Sequence, residues 1–217
     1  METGDFMINY LFSQIKKDTG FSDIQKEYLL KNIKSGMNIV FVSSVPNNYE
    51  RTDEQVNRYT TAFSKIGIVF NSILSIDDRN KMEEVKSIIK NSDIVFLMGG
   101  SPELQMKFIN KYELVELIQS NKIVIGVSAG SMNQGSRVVY KDDFDNYIIK
   151  DYKGLNLTNI NIFPHYDQNN QECIDEAEEV SKIHSITCLP NESFIYIENG
   201  SVEIIGKYYD RHSMKIK

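Results

Sequence analysis

The sequence has few of the features that would place it outside ordinary globular proteins. It lacks any apolar run approaching about 18 residues, and no basic segment precedes an apolar one at its start, so we expect neither a membrane span nor a signal peptide. It contains only two cysteines, Cys173 and Cys188, which is too few for a disulfide scaffold and typical of a reducing compartment. We therefore expect a cytoplasmic protein with free thiols and no membrane partner.

A surplus of basic residues is also missing. The 24 lysines and arginines face 30 aspartates and glutamates, which gives a formal net charge of -6. Because the basic residues are scattered and outnumbered, we expect no nucleic-acid partner. The 217 residues are enough for one full-sized domain, and without a linker or repeat we expect a single domain over residues 1–217. Both a monomer and a homodimer are compatible with this composition.

Short apolar runs alternate with amphipathic segments along most of the chain. Strands are predicted at residues 7–12, 38–42, 68–73, 93–98 and 122–127. Helices are predicted at residues 22–33, 52–65, 80–91 and 102–120, the last with one apolar face made by Leu104, Phe108, Val115 and Ile118. Apolar strands that alternate with helices pair in parallel, so we expect a three-layer α/β/α sandwich with a mostly parallel sheet. Its functional site should lie at the carboxyl edge of that sheet.

The last part of the chain follows another pattern. Two apolar runs, at residues 193–197 and 202–206, flank the dipeptide Asn199-Gly200. Asn-Gly between apolar runs favours a tight turn, so we expect a C-terminal β-hairpin.

A candidate nucleophile lies in the run Gly126-Val127-Ser128-Ala129-Gly130. This run follows a predicted buried strand and precedes a short predicted helix at residues 131–134. A sharp turn from strand to helix strains its central residue and requires small neighbours, and it exposes the central hydroxyl above the sheet edge. The pattern predicts that Ser128 is a nucleophile.

The chain has only three histidines that could activate a serine. His184 ends an acidic helical segment, where the helix dipole explains it, and His212 lies in a polar tail. His165 follows an apolar run that ends in Phe163-Pro164, so by elimination it is the predicted general base. No residues have the spacing of a metal site, so we expect no metal and no cofactor.

Three segments, taken in order, resemble the peptidase E (dipeptidase E) family of serine peptidases, which is related to cyanophycinase. They are VFLMGGS at residues 95–101, IGVSAG at 125–130 and FPHY at 163–166. The likeness extends loosely from about residue 37 to residue 206, and it implies a flavodoxin-like fold of the class I glutamine amidotransferase type. One departure is Ser101, where the family commonly has asparagine after the two glycines.

The resemblance also implies roles for individual residues. Ser128 would be the nucleophile and His165 its base. The oxyanion would be held by the backbone N–H of Ala129 and by that of Gly99 or Gly100.

The residue that orients His165 is less well defined by the sequence. Family members commonly carry Leu-Pro-Glu, whereas residues 189–192 here read Leu-Pro-Asn-Glu. The alternative acidic position of the family falls on Asp143. We rank Glu192 and Asp143 nearly level and Asn191 third. A one-residue shift would turn the side chain to the other face of a strand, although not necessarily in a turn.

The serine and histidine motifs predict hydrolysis through an acyl-enzyme. The resemblance implies a serine-type peptidase that attacks short peptides at the N-terminal residue. Residues 167–180 are rich in carboxylates and contain no lysine or arginine. If they border the site, they would attract the α-amine of a small peptide and disfavour an aspartyl side chain, so a preference for aspartate is doubtful.

Two other functions remain open. The chain could be a catalytically degenerate family member that binds a small molecule or a protein, since the orienting acid is irregular. It could also be an esterase of the α/β-hydrolase class, with His212 as the base. A glutamine amidotransferase is disfavoured because that class uses cysteine where this chain has Ser128.

Overall fold

The computed structural model describes residues 7–142 and 148–212. The strands in these ranges are β1 (Ile8–Phe12), β2 (Asn38–Val42), β3 (Ser72–Ile76), β4 (Ile94–Leu97), β5 (Ile123–Val127), β6 (Arg137–Asp142), β7 (Ile148–Lys153), β8 (Ile162–Pro164), β9 (Ile186–Leu189), β10 (Phe194–Glu198), β11 (Ser201–Ile205) and β12 (Tyr209–Arg211). The helices are α1 (Asp23–Asn32), α2 (Tyr49–Lys65), α3 (Met82–Lys90), α4 (Pro102–Lys111), α5 (Val115–Gln119), α6 (Ala129–Met132) and α7 (Gln171–Ile183).

Seven strands form a central sheet in the order β11-β10-β1-β5-β4-β2-β3. The five strands from β1 to β3 in that order run parallel, β10 is antiparallel to β1, and β11 is antiparallel to β10. The predicted mostly parallel sheet is therefore confirmed.

Helices cover both faces of this sheet, as the alternation of side chains in β2 illustrates. Ile39 and Phe41 pack with residues of α1 and α2, including Tyr59. Val40 and Val42 point to the other face and pack with residues of α3, α4 and α5. Successive residues of a strand point to opposite faces, so a strand covered on both sides is apolar throughout. This arrangement confirms the three-layer α/β/α fold.

The predicted C-terminal hairpin is also confirmed. Glu198 pairs with Ser201 across the turn between β10 and β11. Asn199 and Gly200 both have positive φ, 51° and 80°, as the tight turn that joins two antiparallel strands requires. The hairpin extends the central sheet beyond β1.

The strand predicted at residues 68–73 is wrong by four residues at its start. β3 begins only at Ser72, where pairing with Asn38 of β2 starts. Ile68 and Phe70 are buried before the strand begins, and the Phe70 ring lies 5.0 Å from that of Phe63 on α2. Their apolar character therefore reflects packing beneath a helix and not membership of the sheet.

The helix predicted at residues 102–120 is two helices. Glu113 lies between α4 and α5 with a φ of 54°, a left-handed conformation that a helix does not continue through. Of the predicted apolar face, Phe108 and Ile118 are buried but Leu104 is 39% exposed. The helix predicted at residues 131–134 begins two residues earlier, at Ala129.

Apart from the apolar run that precedes His165, the sequence analysis did not indicate the strands outside the central sheet. β8 and β9 pair in parallel, and β12 joins β9 to complete a three-stranded sheet. β6 and β7 form an antiparallel pair. These strands matter because β8 ends immediately before His165 and β9 ends shortly before Asn191.

Two smaller expectations concern cysteines and membrane segments. Cys173 and Cys188 are both free thiols, and Cys188 is buried. In the described ranges, every helix is too short or too polar to cross a bilayer.

The close packing of α6 on β4 generates a first prediction. A Cβ atom at Gly130 would lie 2.0 Å from the carbonyl oxygen of Leu97, whereas a Cβ at Gly200 would meet no atom within 4 Å. We expect Gly130→Ala to lower the free energy of unfolding by about 3 kcal/mol because the backbone must move. The control Gly200→Ala carries only the strain of its positive φ, about 1–2 kcal/mol. Denaturant unfolding measures both, and equal losses would contradict the packing argument.

Candidate active site

The candidate site lies at the carboxyl edge of the central sheet, as predicted. Ser128 follows β5, Gly99 and Gly100 follow the neighbouring strand β4, and Ser44 follows β2, the next strand along. Parallel strands deliver the loops at their carboxyl ends to one edge of a sheet, where open α/β folds bind ligands. The loops that follow β5, β4 and β2 therefore meet at one place.

Ser128 has a strained backbone. Its φ is 50° and its ψ is -111°, a combination that residues with a side chain rarely adopt and that costs about 1–3 kcal/mol. The Ser128 N–H donates to the Phe12 carbonyl on β1 at 2.9 Å, which holds the turn against the sheet. A Cβ at Gly126 would approach Gly130 within 2.6 Å. The two glycines of the motif therefore leave the room that the turn needs.

The structure brings the side chains of Ser128 and His165 together. The distance from His165 Nε2 to Ser128 Oγ is 2.8 Å, and the distance from His165 Nδ1 to Asn191 Oδ1 is 2.7 Å. An amide oxygen can only accept, so Nδ1 carries the ring proton and Nε2 is free to accept the serine proton. This arrangement can deprotonate the Ser128 hydroxyl.

A buried serine at the end of β1 positions the His165 backbone. His165 has a φ of 60°, so it is also in the left-handed region. Its N–H donates to Ser13 Oγ at 2.8 Å, and the Ser13 hydroxyl donates to the Leu189 carbonyl at 2.9 Å. Ser13 thereby links the loops that present His165 and Asn191. Sequence analysis missed Ser13 because its partners are far away in the chain.

The residue beside His165 Nδ1 is Asn191, which was ranked third. The expected contact of Glu192 with His165 is not found, because the Glu192 side chain is 72% exposed and lies 3.8 Å from Lys16 Nζ. The Ser193 N–H donates to the Pro190 carbonyl at 2.9 Å, so Asn191 and Glu192 occupy a tight turn. Their side chains consequently diverge. Asp143, the other candidate, lies outside the described residues.

Two backbone N–H groups near Ser128 belong to residues that line the cavity. Gly100 and Ala129 both line the cavity in front of Ser128. Over residues 7–142 and 148–212, neither N–H has a hydrogen-bond acceptor. Gly100 lines the cavity, whereas Gly99 is not among the residues that line it. Of the two glycines, Gly100 is therefore the one whose N–H is placed to serve the site.

Ser101, which departs from the family pattern, has a structural role. Its hydroxyl accepts the Leu104 N–H at 3.3 Å and caps α4, with Pro102 at the first helical position. Serine is a strongly preferred N-cap residue, so Ser101 can begin α4 as well as the asparagine of the family would.

A cavity of about 540 Å³ opens in front of Ser128 and His165. Arg51 lines it beside Gly100, and its Nη2 lies 3.5 Å from the position of a Gly100 Cβ. No carboxylate of the described residues forms an ion pair with Arg51. Asp142 and Glu176 also line the cavity. The cavity therefore presents both charge signs to a ligand.

The remaining wall residues are less suited to chemistry. Lys141 pairs with Glu179 at 2.8 Å, and that hydrogen bond raises the pKa of the lysine amine. Burial raises the pKa of the Cys173 thiol and also that of the Tyr140 hydroxyl. A thiol with a raised pKa is a poor nucleophile at neutral pH. Ser128 therefore stands apart from Cys173 as the activated nucleophile of this cavity.

The sequence analysis identified the acidic segment beside the cavity but did not identify Arg51. Of the acidic segment at residues 167–180, Cys173 and Glu176 reach the cavity. Arg51 comes from the first turn of α2, far upstream of His165 in the chain. Its basic charge near the site follows from the pairing order of the strands, which no local pattern reveals.

Comparison with known proteins agrees with the fold and with the earlier resemblance. The family model described as "Peptidase family S51" matches residues 11–205. No curated protein matches the chain. A Listeria monocytogenes EGD-e protein, provisionally named peptidase E, has a similar structure with a TM-score of 0.67 and 18% identity, covering 92% of this chain and 98% of that one. A peptidase from an acI-B1 Actinobacterium gives a TM-score of 0.73 and 13% identity, covering 98% of this chain and 93% of that one.

The two structural neighbours share so few identical residues that they speak for the fold alone. The family model is stronger because it spans most of the chain, including β4 with its glycine pair, the Ser128 motif and His165. The resemblance to the peptidase E family is thereby confirmed, and the chain belongs to peptidase family S51.

Proposed function

We propose that this protein is a serine-type peptidase that hydrolyses short peptides in a dipeptidase-like or aminopeptidase-like manner. One observation supports this proposal above all others. The His165 ring lies between Ser128 Oγ and Asn191 Oδ1, at 2.8 and 2.7 Å, beside an open cavity. A nucleophile within reach of a base, whose other nitrogen is held by a third group, is the arrangement used for acyl transfer.

The first half of the reaction acylates the enzyme. His165 Nε2 accepts the Ser128 proton while Ser128 Oγ attacks the carbonyl carbon of the scissile amide. The carbonyl oxygen takes the negative charge and accepts hydrogen bonds from the Gly100 and Ala129 N–H groups. When the tetrahedral intermediate collapses, the C–N bond breaks and His165 gives its proton to the leaving amine.

The second half returns the enzyme to its starting state. His165 accepts a proton from a water molecule, and the resulting hydroxide attacks the Ser128 ester. The new oxyanion is held by the same two N–H groups. Collapse breaks the ester bond, Ser128 recovers its proton from His165, and the acid product leaves.

The charges of the cavity favour a small zwitterionic substrate. Glu176 and Asp142 can attract the α-amine of a short peptide, and Arg51 can bind a carboxylate. We expect hydrolysis of peptides with neutral N-terminal residues. The acidic segment after His165 contains no cation that could bind an aspartyl side chain, but Arg51 places one in the cavity. The preference for aspartate therefore needs a direct test. A cytoplasmic location stays a prediction.

We expect Ser128→Ala and His165→Ala each to lower kcat for dipeptide hydrolysis by at least about 10³-fold, because the two groups act as one unit. His212→Ala, at an exposed position, should leave kcat unchanged. Amine release from Ala-Leu and Met-Leu measures these rates. A loss in the His212 variant instead would favour the esterase alternative. A folded wild-type protein whose Ser128 does not react with a fluorophosphonate would favour the binding module.

The orienting residue can be tested by changing its charge alone. We expect Asn191→Asp to raise kcat by about 10-fold, because a carboxylate stabilises the imidazolium more than an amide does, and Asn191→Leu to lower it by about 10²-fold. Glu192→Gln is the adjacent control and should have no effect. Steady-state kinetics at pH 7 check the series. A loss in the Glu192 variant equal to that of Asn191→Leu would assign the role to Glu192.

The role of Arg51 can be tested with substrates that differ in one carboxylate. For Arg51→Gln we expect KM for Ala-Leu to rise by about 10-fold or more, as the loss of a charge-assisted hydrogen bond implies, and KM for Ala-Leu amide to stay the same. A rise confined to Asp-Leu would instead assign Arg51 to an acidic side chain. Wild-type hydrolysis of Asp-Leu far faster than of Ala-Leu would overturn the expected lack of aspartate preference.

A further inference from the structure

Among the described residues, hydrogen bonds hold the peptide bond between Gly99 and Gly100 on its carbonyl side only. The Gly99 carbonyl accepts from Ser44 Oγ at 2.6 Å and from Gln55 Nε2 at 3.2 Å. We call these two hydrogen bonds the Gly99 clamp. Ser44 is buried directly after β2, and Gln55 lies on α2, one turn before the buried Tyr59. The clamp therefore comes from two elements that pack firmly against the central sheet.

The direction of the Gly99 carbonyl determines the direction of the next N–H. No described peptide bond is cis, and in a trans peptide the C=O and the following N–H point in opposite directions. With the Gly99 oxygen turned towards Ser44 and Gln55, the Gly100 N–H points away from them. Gly100 lines the cavity next to Ser128 and Ala129, so its N–H is available to the reacting oxygen.

The backbone by itself does not select this orientation. Gly100 has a φ of 147°, and rotating the Gly99–Gly100 peptide by half a turn would bring that φ to a negative value near the edge of the right-handed region. Glycine accepts both conformations at little cost. In the rotated peptide the Gly99 carbonyl oxygen would face the cavity and repel a developing oxyanion. Something outside the glycine pair must therefore choose between the two orientations.

We propose that Ser44 and Gln55 are positioning residues that hold the Gly100 N–H in the oxyanion-binding orientation. This inference rests on the proposed function, since it concerns the same serine chemistry. Neither residue would touch the substrate's reacting atoms. Each acts through the Gly99 carbonyl, and together they satisfy both of its acceptor positions. Removing one of the two hydrogen bonds leaves the other to hold the carbonyl. The loss of kcat in the double variant should therefore exceed the product of the losses in the two single variants.

The test uses Ser44→Ala, Gln55→Met and the double variant of the full-length protein. Ser43→Ala is the matched control, because the Ser43 hydroxyl is equally buried in the same loop but bonds Thr52 Oγ1 and the Val45 N–H. We expect each single variant to lower kcat by only about 3–5-fold and the double variant by about 10²–10³-fold, as for loss of one oxyanion donor. KM for Ala-Leu should stay the same.

A second readout separates this role from a general structural one. A peptidyl aldehyde forms a hemiacetal with Ser128 whose oxygen occupies the oxyanion position. Its inhibition constant should therefore rise in parallel with the loss of kcat, whereas binding of a product amino acid should not change. If the double variant does not fold, the Gln55→Met variant alone provides the same comparison. Variants that match Ser43→Ala in both kcat and aldehyde inhibition would overturn the proposal.

Failure of the clamp and failure of the proposed function give different results. A wild-type protein that hydrolyses dipeptides while the clamp variants remain fully active would overturn only the clamp. A folded wild-type protein whose Ser128 reacts with neither fluorophosphonate nor aldehyde would overturn both. A wild-type protein that reacts with these probes but cleaves no dipeptide would leave the clamp supported if the double variant reacts about 10²-fold more slowly.

Discussion

The site depends on the strained turn at Ser128. A serine with a φ of 50° and a ψ of -111° persists only when its surroundings stabilise it by more than the strain costs. Here the surroundings are β1, which accepts the Ser128 N–H through Phe12, and β4, against which Gly130 packs. Both are neighbours of β5 in the middle of the sheet. The strain is therefore located where the fold is least able to relax.

The same logic applies to His165 on the other side of the cavity. Its φ of 60° is also unfavourable for a residue with a side chain, and the buried Ser13 holds its N–H from the end of β1. The end of β1 thus touches both strained residues, through the Phe12 carbonyl and through the hydroxyl of Ser13, the residue that follows the strand. Because these two consecutive residues anchor both loops, the distance between Ser128 and His165 is set by the sheet and not by flexible connections.

The parts that local patterns predicted are those whose cause is itself local. Continuous apolar runs in β2, β4 and β5 identify strands buried on both faces, and small residues around Ser128 identify a sharp turn. The apolar run at Ile68 and Phe70 led to a wrong strand start, because packing beneath a helix requires the same side chains as a buried strand. Patterns of this kind report burial directly and report hydrogen-bond pairing only indirectly.

The parts that escaped prediction depend on directions and on distant contacts. Asn191 and Glu192 are adjacent in a turn, and only its backbone geometry decides which side chain reaches His165. Arg51, Ser44 and Gln55 come near Ser128 because β2 and β4 are neighbours in the sheet, an order that no single segment encodes. The proposed task of Ser44 and Gln55 is to orient a backbone group, so their own residue types carry no catalytic pattern.

In the proposed mechanism, an amide beside His165 means that the oxyanion donors must provide a larger share of the transition-state stabilisation. Asn191 fixes the ring tautomer, but a neutral amide stabilises the imidazolium less than a carboxylate would. More of the transition-state stabilisation must then come from fixed N–H groups around the reacting oxygen, which need no reorganisation as charge develops. The strained turn supplies one of these groups, at Ala129, together with the nucleophile. The other, at Gly100, lies on a peptide that glycine alone would leave free to rotate, and for this reason the hydrogen bonds to the Gly99 carbonyl matter to the chemistry.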